Sequence, residues 1–317
     1  MNQSQIDALN RVFGIPNVVE VVSGNGGLLK IRVTAPSASA DIFLHGAQVT
    51  SWQPVNAEEV LFLSDHSNWQ DGHAIRGGIP VCFPWFGAKV DATTAPAHGF
   101  VRTKEWRLES VKADGESVVV TCSTENDEST HRWWPYAFRL EHIISIGRSL
   151  GLRLIVMNTG QPPFRFEEAL HTYFRVSQAA NVSIRGLDQI KYLDNIDGNR
   201  TKAQYGDLIL TAGTDNAYID VHSAAELIDQ TWRRIIRTEK GNSATTVVWN
   251  PWEEGAASLT DLGNDEWQRF VCMEASNILG SAIFLAPGQQ HKMEATISVV
   301  PKRESLIKEE EEISTAM

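Results

Sequence analysis

Residues 138–160, FRLEHIISIGRSLGLRLIVMNTG, carry the reading that decides the fold class. Phe138, Leu140, His142, Ile144 and Ile146 alternate with other residues, and Gly147-Arg148-Ser149 then turns the chain. Leu150, Leu152, Leu154 and Val156 alternate back until Asn158-Thr159-Gly160. A period of two is that of a strand with one face on a core. Two such runs joined by a short Gly-containing turn make an antiparallel hairpin.

The same rhythm extends outward. Upstream, Val118 to Cys122 follows the turn Ala113-Asp114-Gly115, and Ala40 to Trp52 reads as a strand pair bending at His45-Gly46. Leu29, Ile31 and Val33 follow the turn Gly24-Asn25-Gly26-Gly27, and residues 3–13 predict a short helix with Ile6, Leu9 and Val12 on one side. Downstream, Val182 and Ile184 alternate before Gly186. Ile235 to Thr238, the turn Lys240-Gly241-Asn242 and Thr245 to Trp249 suggest a second hairpin, whereas Ser223 to Arg234 reads as helical by composition. Phe270 to Met273 and Ala295 to Val300 are late strands. Strands do not alternate with long amphipathic helices, which disfavours a parallel βαβ sheet. The expected architecture is all-β: one large antiparallel β-sandwich over residues 1–301, followed by a charged, flexible tail at 302–317.

Bulk properties narrow the function class. The 317 residues are 42% hydrophobic and 21% charged, as in a soluble globular protein. No apolar run reaches the roughly 20 residues of a membrane helix, and the N-terminus lacks the pattern of a signal peptide. Cys82, Cys122 and Cys272 are few and widely spaced, the usage of a reduced, cytoplasmic protein, and small buried hydrophobes are the expected role for all three. Net charge is −11, of which the tail contributes only −2. Such a field repels nucleic acid and anionic membranes, leaving a small molecule as the expected partner of a monomer. A phosphorylated metabolite would need local arginines to overcome it.

One stretch resists the strand pattern: residues 73–106, HAIRGGIPVCFPWFGAKVDATTAPAHGFVRTKEW. Pro80 and Pro84 each remove a ladder donor and exclude a central strand. Ile75, Ile79, Val81, Phe83, Trp85 and Phe86 make it too apolar for an ordinary surface loop. Irregular apolar chain carrying Arg76, His98 and Arg102 suits a pocket wall. The alternative is a buried crossover whose arginines reach solvent. Lys89 and Lys104 flank it, so a local positive well and a set of surface ion pairs are both open readings.

Two segments carry candidate acid–base groups. Read as a strand, EEALHTYF at 167–174 places Glu167, Ala169, His171 and Tyr173 on one face, so His171 has polar neighbours and a side chain suited to proton transfer. A merely hydrogen-bonded strand histidine is the commoner outcome. FVCMEASN at 270–277 ends an apolar strand in Glu274, which must reach solvent or find a donor; burial would make it a stronger base. Asp215 reads locally as a turn aspartate. Trp85, Phe100, Trp133, Trp134, Trp249 and Trp252 could stack on a sugar or pack the core. There is no P-loop, GxGxxG, HExxH or GxSxG, and the remaining histidines lack metal-ligand spacing, so neither cofactor nor metal is expected.

Taken together, IRGGIPVCFPWFG, AHGFVR, ALHTYF, the Thr214-Asp215 turn, VVWNPW and FVCMEASN resemble the D-hexose-6-phosphate mutarotases, glucose-6-phosphate 1-epimerases of the aldose 1-epimerase group, over roughly residues 15–300. The resemblance implies a galactose-mutarotase-like supersandwich that interconverts the α and β anomers of a hexose 6-phosphate without metal. It implies His171 as general acid and Glu274 as general base. Arg76 and Arg102 would hold the phosphate, with Asp215 on sugar hydroxyls and His98 lining the site. Ala97 stands where some members have a glutamine, and Asn216 where an arginine is frequent, which bears on substrate preference. The rival expectations are an epimerase of unphosphorylated aldoses and a non-catalytic sugar-phosphate-binding sandwich.

Overall fold

The computed structural model describes residues 3–301; the predicted tail at 302–317 lies outside the described residues. The hairpin is present as strands Phe138–Ile146 and Ser149–Asn158, with Ile146 opposite Leu150 and Phe138 opposite Asn158. Phe138, Leu140, His142, Ile144 and Ile146 are all buried and alternate with half-buried residues. Each fully buried Ile, Leu or Phe side chain contributes roughly 1.5–3 kcal/mol, which pins the register.

That hairpin lies inside a nine-stranded sheet. Its order is Leu208–Ile209, Val182–Arg185, Ala225–Asp229, Arg234–Gly241, Gln290–Pro301, Ser149–Asn158, Phe138–Ile146, Ser117–Glu125, Arg107–Asp114. The second large sheet runs Arg200–Ala203, Lys191–Asp194, Thr214–Ile219, Thr245–Asn250, Phe270–Asn277, Glu168–Leu170, Val81–Cys82, with Tyr173–Arg175 also pairing to Phe270–Asn277. Pairing within both sheets is antiparallel, and one hydrophobic core takes side chains from each, among them Ile144, Leu152 and Ile236 from the first and Val248, Val271 and Met273 from the second. The all-β antiparallel sandwich is therefore the observed architecture. A four-stranded sheet over residues 19–54 joins the same core, preceded by the expected helix Gln3–Phe13. Ile6 anchors that helix, while Val12 points largely to solvent.

Two sequence expectations fail. Strands Arg234–Gly241 and Thr245–Asn250 do not pair with each other but belong to different sheets. Both edges of the first are taken by Ala225–Asp229 and Gln290–Pro301. The second is buried on both faces, so it needs the interior of a sheet, and the turn carries the chain between layers. Ser223 to Arg234 is not helical: Leu227 and Ile228 sit in strand Ala225–Asp229, held between two neighbours, where ladder pairing overrides weak local propensity.

The stretch 73–106 contributes only Val81–Cys82, an edge strand, as its prolines require. Its ends are stitched together where Gly99 meets Phe83, and Phe100 N donates to the Phe83 carbonyl at 3.2 Å. Gly99 has φ +75°, and a Cβ there would lie 1.7 Å from the Phe83 oxygen. Gly99→Ala is accordingly expected to destabilise by about 3 kcal/mol or more, a fall in Tm on the order of 10 °C by calorimetry. A Tm within a degree of wild type would show that the two ends are not locked.

Candidate active site

The site is organised by strand alternation. Strand Phe270–Asn277 is buried along its whole length. Val271, Met273 and Ala275 join the core between the sheets, whereas Phe270 and Cys272 pack in a separate cluster on the other face. Glu274 shares the parity of the second set and faces away from the sandwich core. Directly opposed residues lie on one face of a sheet. Tyr173 opposes Cys272, Cys272 opposes Trp249, Trp249 opposes Asp215 and Val247 opposes Glu274, so the register alone gathers Asp215, Trp249, Cys272, Glu274 and Tyr173 on one surface.

His171 sits in the two-residue break between Glu168–Leu170 and Tyr173–Arg175. Its backbone N–H donates to the Pro80 carbonyl at 3.0 Å, and Tyr173 N donates to Gly78 at 2.9 Å. Glu167 N donates likewise to Pro84. The irregular stretch is thus laid along this strand through the carbonyls of Gly78 and of two prolines that have no N–H to donate. It is both largely buried and a bearer of site residues, which combines the two readings it invited.

His171 Nε2 lies 3.4 Å from Glu274 Oε1. His171 is 5% exposed and Glu274 1%. The setting of His171 corrects the expectation of polar neighbours: its ring stacks on Tyr173 at 4.8 Å and 12°, with Trp249 edge-on at 5.9 Å and His98 edge-on at 5.4 Å. Phe86 closes over His98 at 4.6 Å. Phe86 is itself fixed by Glu167, whose carboxylate accepts from Phe86 N at 2.9 Å and from Leu279 N at 2.7 Å. Glu274 is likewise not a solvated strand end but a mid-strand buried residue.

The two arginines differ. Arg76 donates to Tyr173 Oη at 2.9 Å and to Asp261 Oδ1 at 3.0 Å. Arg102 donates to the Ala97 carbonyl at 3.0 Å and forms no ion pair among the described residues. That bond uses the backbone of Ala97, so it does not depend on which side chain stands there. His98, at φ +62°, accepts from Gly87 N through Nδ1 at 3.3 Å, which leaves Nε2 to carry the proton. Asp215 accepts from Asn195 at 2.6 Å and is half-buried; Asn216 faces the opposite side of the sheet. Lys89 and Lys104 do not reach the site, being paired with Asp91 and Asp127. Of the six aromatics considered, Trp249 lies against His171, while Trp85, Phe100 and Trp134 pack in the core.

Sequence reasoning missed Tyr173 and Asp261. The first was legible as the residue sharing a strand face with His171. Asp261 has no local signal, because it reaches Arg76 across 185 residues of chain.

Burial dominates the electrostatics. It pushes the His171 imidazole well below its ordinary value of 6.5, an effect reinforced by Arg102 and Arg76. Burial also pushes Glu274 well above 4.5, with Asp215 adding to the rise and Arg102 opposing it. Although the pair stands at ion-pair distance, both shifts favour the uncharged forms, a protonated carboxyl beside a neutral imidazole. Five of the twelve buried side-chain polar atoms left without a hydrogen-bond partner among the described residues belong here: both Glu274 oxygens, His171 Nδ1, Arg76 Nε and Arg102 Nε. Native interiors rarely tolerate such atoms, and their concentration in one place marks a polar ligand site. His171, Cys272 and Glu274 also bring possible metal ligands within 4.8 Å of one another.

A carboxyl whose folded value is raised adds stability only below its unfolded value; above that, ionisation favours the unfolded chain. Glu274→Gln is therefore expected to raise Tm relative to wild type by an amount that grows as pH rises above the ordinary carboxyl value. A pH-independent difference measured by calorimetry would contradict the raised value.

The pattern of the aldose 1-epimerase family matches residues 30–298. A candidate glucose-6-phosphate 1-epimerase of Escherichia coli strain K12 is 32% identical over 275 residues, covering 84% of this chain and 91% of that protein. One of Cenchrus ciliaris is 31% identical, covering 89% and 88%. The crystal structure of a candidate mutarotase from Salmonella typhimurium superposes with a TM-score of 0.85 at 28% identity, covering 94% of this chain and 99% of that one. A galactose mutarotase-like protein of Clostridium acetobutylicum shares the fold, with a TM-score of 0.71 at 15% identity and coverage of 89% and 98%. Matched by the family pattern over most of its length and sharing its fold with these proteins, the chain belongs to the aldose 1-epimerase family.

Proposed function

We propose that this protein is a glucose-6-phosphate 1-epimerase, interconverting the α and β anomers of a hexose 6-phosphate by ring opening and closure. The observation that carries the reading is the facing of His171 and Glu274, buried and otherwise unpartnered, beside two guanidinium groups. Relatives named for this activity supply the substrate class.

In the first step Glu274 takes the proton of the anomeric hydroxyl while His171 gives one to the ring oxygen. The C1–O5 bond breaks to leave an aldehyde and a hydroxyl. Rotation about C1–C2 presents the other face, and closure returns both protons with the roles exchanged. The pair needs one shared proton, which it already holds, though on the carboxyl. Substrate binding moves it. Sugar hydroxyls donating to the orphaned Glu274 oxygens favour the carboxylate. A phosphate dianion against Arg102 and Arg76 cancels the positive field that lowers His171, which favours the imidazolium. The anchored phosphate also keeps the open-chain aldehyde in place while C1 rotates. His98 and Asp215 supply polar contacts to the sugar, and the Trp249 and Phe86 rings bound it.

One observation favours a second reading, a 1-epimerase of unphosphorylated aldoses: Asp261 already partners Arg76, leaving Arg102 as the free cation. Residues 1–301 are proposed as a single unit, since one core cluster runs from Ile6 to Ile297. No helix among the described residues is long and apolar enough to cross a membrane. Three buried free cysteines fit a cytoplasmic protein, and a net charge of −11 disfavours nucleic acid and anionic membranes as partners of the proposed monomer.

Exchange NMR on glucose 6-phosphate and on glucose tests the reading. His171→Asn and Glu274→Gln should each lose about 10²–10⁴ in kcat, and wild-type activity should be bell-shaped in pH because only the singly protonated pair works. The acid limb should fall below the ordinary histidine value, following the depressed imidazole. Full turnover in both variants would remove the assignment. Arg102→Ala should raise KM for glucose 6-phosphate by roughly 10–100-fold and leave glucose unaffected. Equal losses on both sugars would favour the second reading.

A further inference from the structure

Cys272 plays no part in that chemistry, yet its side chain lies on the same sheet face as Glu274, two residues along one strand, and opposite Tyr173. We propose that His171, Cys272 and Glu274 form an inhibitory site for a thiophilic divalent cation of the zinc class, occupied in competition with the sugar. Nitrogen, sulfur and oxygen donors in one place are the set that zinc selects and magnesium or calcium does not.

The geometry is close to what such an ion requires. Bonds of about 2.0–2.3 Å in a tetrahedron place donor atoms roughly 3.4–3.8 Å apart. The imidazole Nε2 and carboxylate Oε1 already stand at 3.4 Å, and all three donors lie within 4.8 Å of one another. The carboxylate is free to ligate, because neither oxygen has a hydrogen-bond partner. Three protein ligands leave a fourth position for water or a substrate hydroxyl.

Charge balance agrees. A thiolate and a carboxylate against a dication with a neutral imidazole sum to zero, so the complex buries no net charge. Binding releases the thiol proton and the carboxyl proton to solvent. Arg76 is offset by Asp261, which leaves Arg102 as the opposing cation. The other two cysteines, Cys82 and Cys122, are buried, and neither belongs to such a donor group among the described residues.

Two of the three donors, His171 and Glu274, are those the sugar is proposed to use, so inhibition rests on the preceding reading, whereas binding does not. Cobalt(II) added to the full-length protein should produce a thiolate-to-cobalt charge-transfer band and intense visible bands of four-coordinate geometry, removed by zinc(II). Zinc(II) should inhibit anomerisation competitively with sugar and reversibly with EDTA. Cys272→Ser should retain turnover within about twofold, lose the charge-transfer band and need about tenfold or more zinc(II) for equal inhibition. Absence of the thiolate band in wild type, which needs no variant to fold, overturns the site, as does equal zinc sensitivity of wild type and Cys272→Ser. A thiolate band in a protein without epimerase activity would uphold the site and reject the reading of function.

Discussion

A carboxyl group placed mid-strand inside the protein, with neither oxygen hydrogen-bonded, is the constraint around which this molecule is arranged. Glu274 could be solvated at a strand end, but strand Phe270–Asn277 continues past it and is covered on both faces. Taking such a group out of water costs free energy that an apolar residue would not. The sandwich tolerates it because Val271, Met273 and Ala275 on the opposite parity are packed into a core shared by both large sheets. One strand thus serves two purposes, stability on one face and, under the proposed function, chemistry on the other.

The same division runs through the neighbours. The edge of the sheet beside Glu168–Leu170 is finished not by a long strand but by the proline-bearing stretch, whose carbonyls accept from Glu167, His171 and Tyr173. Backbone bonds of this kind fix the stretch that carries Arg76, His98 and Arg102, and each side chain adds one or two bonds of its own while Arg76 Nε and Arg102 Nε stay unpartnered. Buried and irregular chain is uncommon because its polar groups must be satisfied, and here the strand it borders satisfies them.

The low-dielectric setting explains why acid and base are coupled to what binds near them. Burial lowers the imidazole and raises the carboxyl, and the guanidinium groups bear on both. Under the proposed function, a substrate phosphate against Arg102 and Arg76 relieves their lowering of His171, so that recognition of the phosphate and protonation of the imidazole are one electrostatic event. The ion pair between Arg76 and Asp261 divides the labour between the arginines, one already compensated and one not.

Much of this was legible in the sequence. Period-two patterning identified strands such as Phe138–Ile146, because a strand with one face on a core leaves that signature. The prolines excluded residues 73–106 from the interior of a sheet, and the motifs around His171 and Glu274 pointed to the family. Other features were decided by tertiary contact alone. Whether consecutive strands pair, as Phe138–Ile146 and Ser149–Asn158 do, or part to different sheets, as Arg234–Gly241 and Thr245–Asn250 do, depends on which edges are already occupied. The His98 and Trp249 rings around His171, the Asp261 partner of Arg76 and the gathering of Cys272 with His171 come from contacts between segments about 70 to 185 residues apart. Local pattern sets which face a side chain takes; only the closed fold sets what stands opposite it, because that is a property of pairs of strands and not of either one.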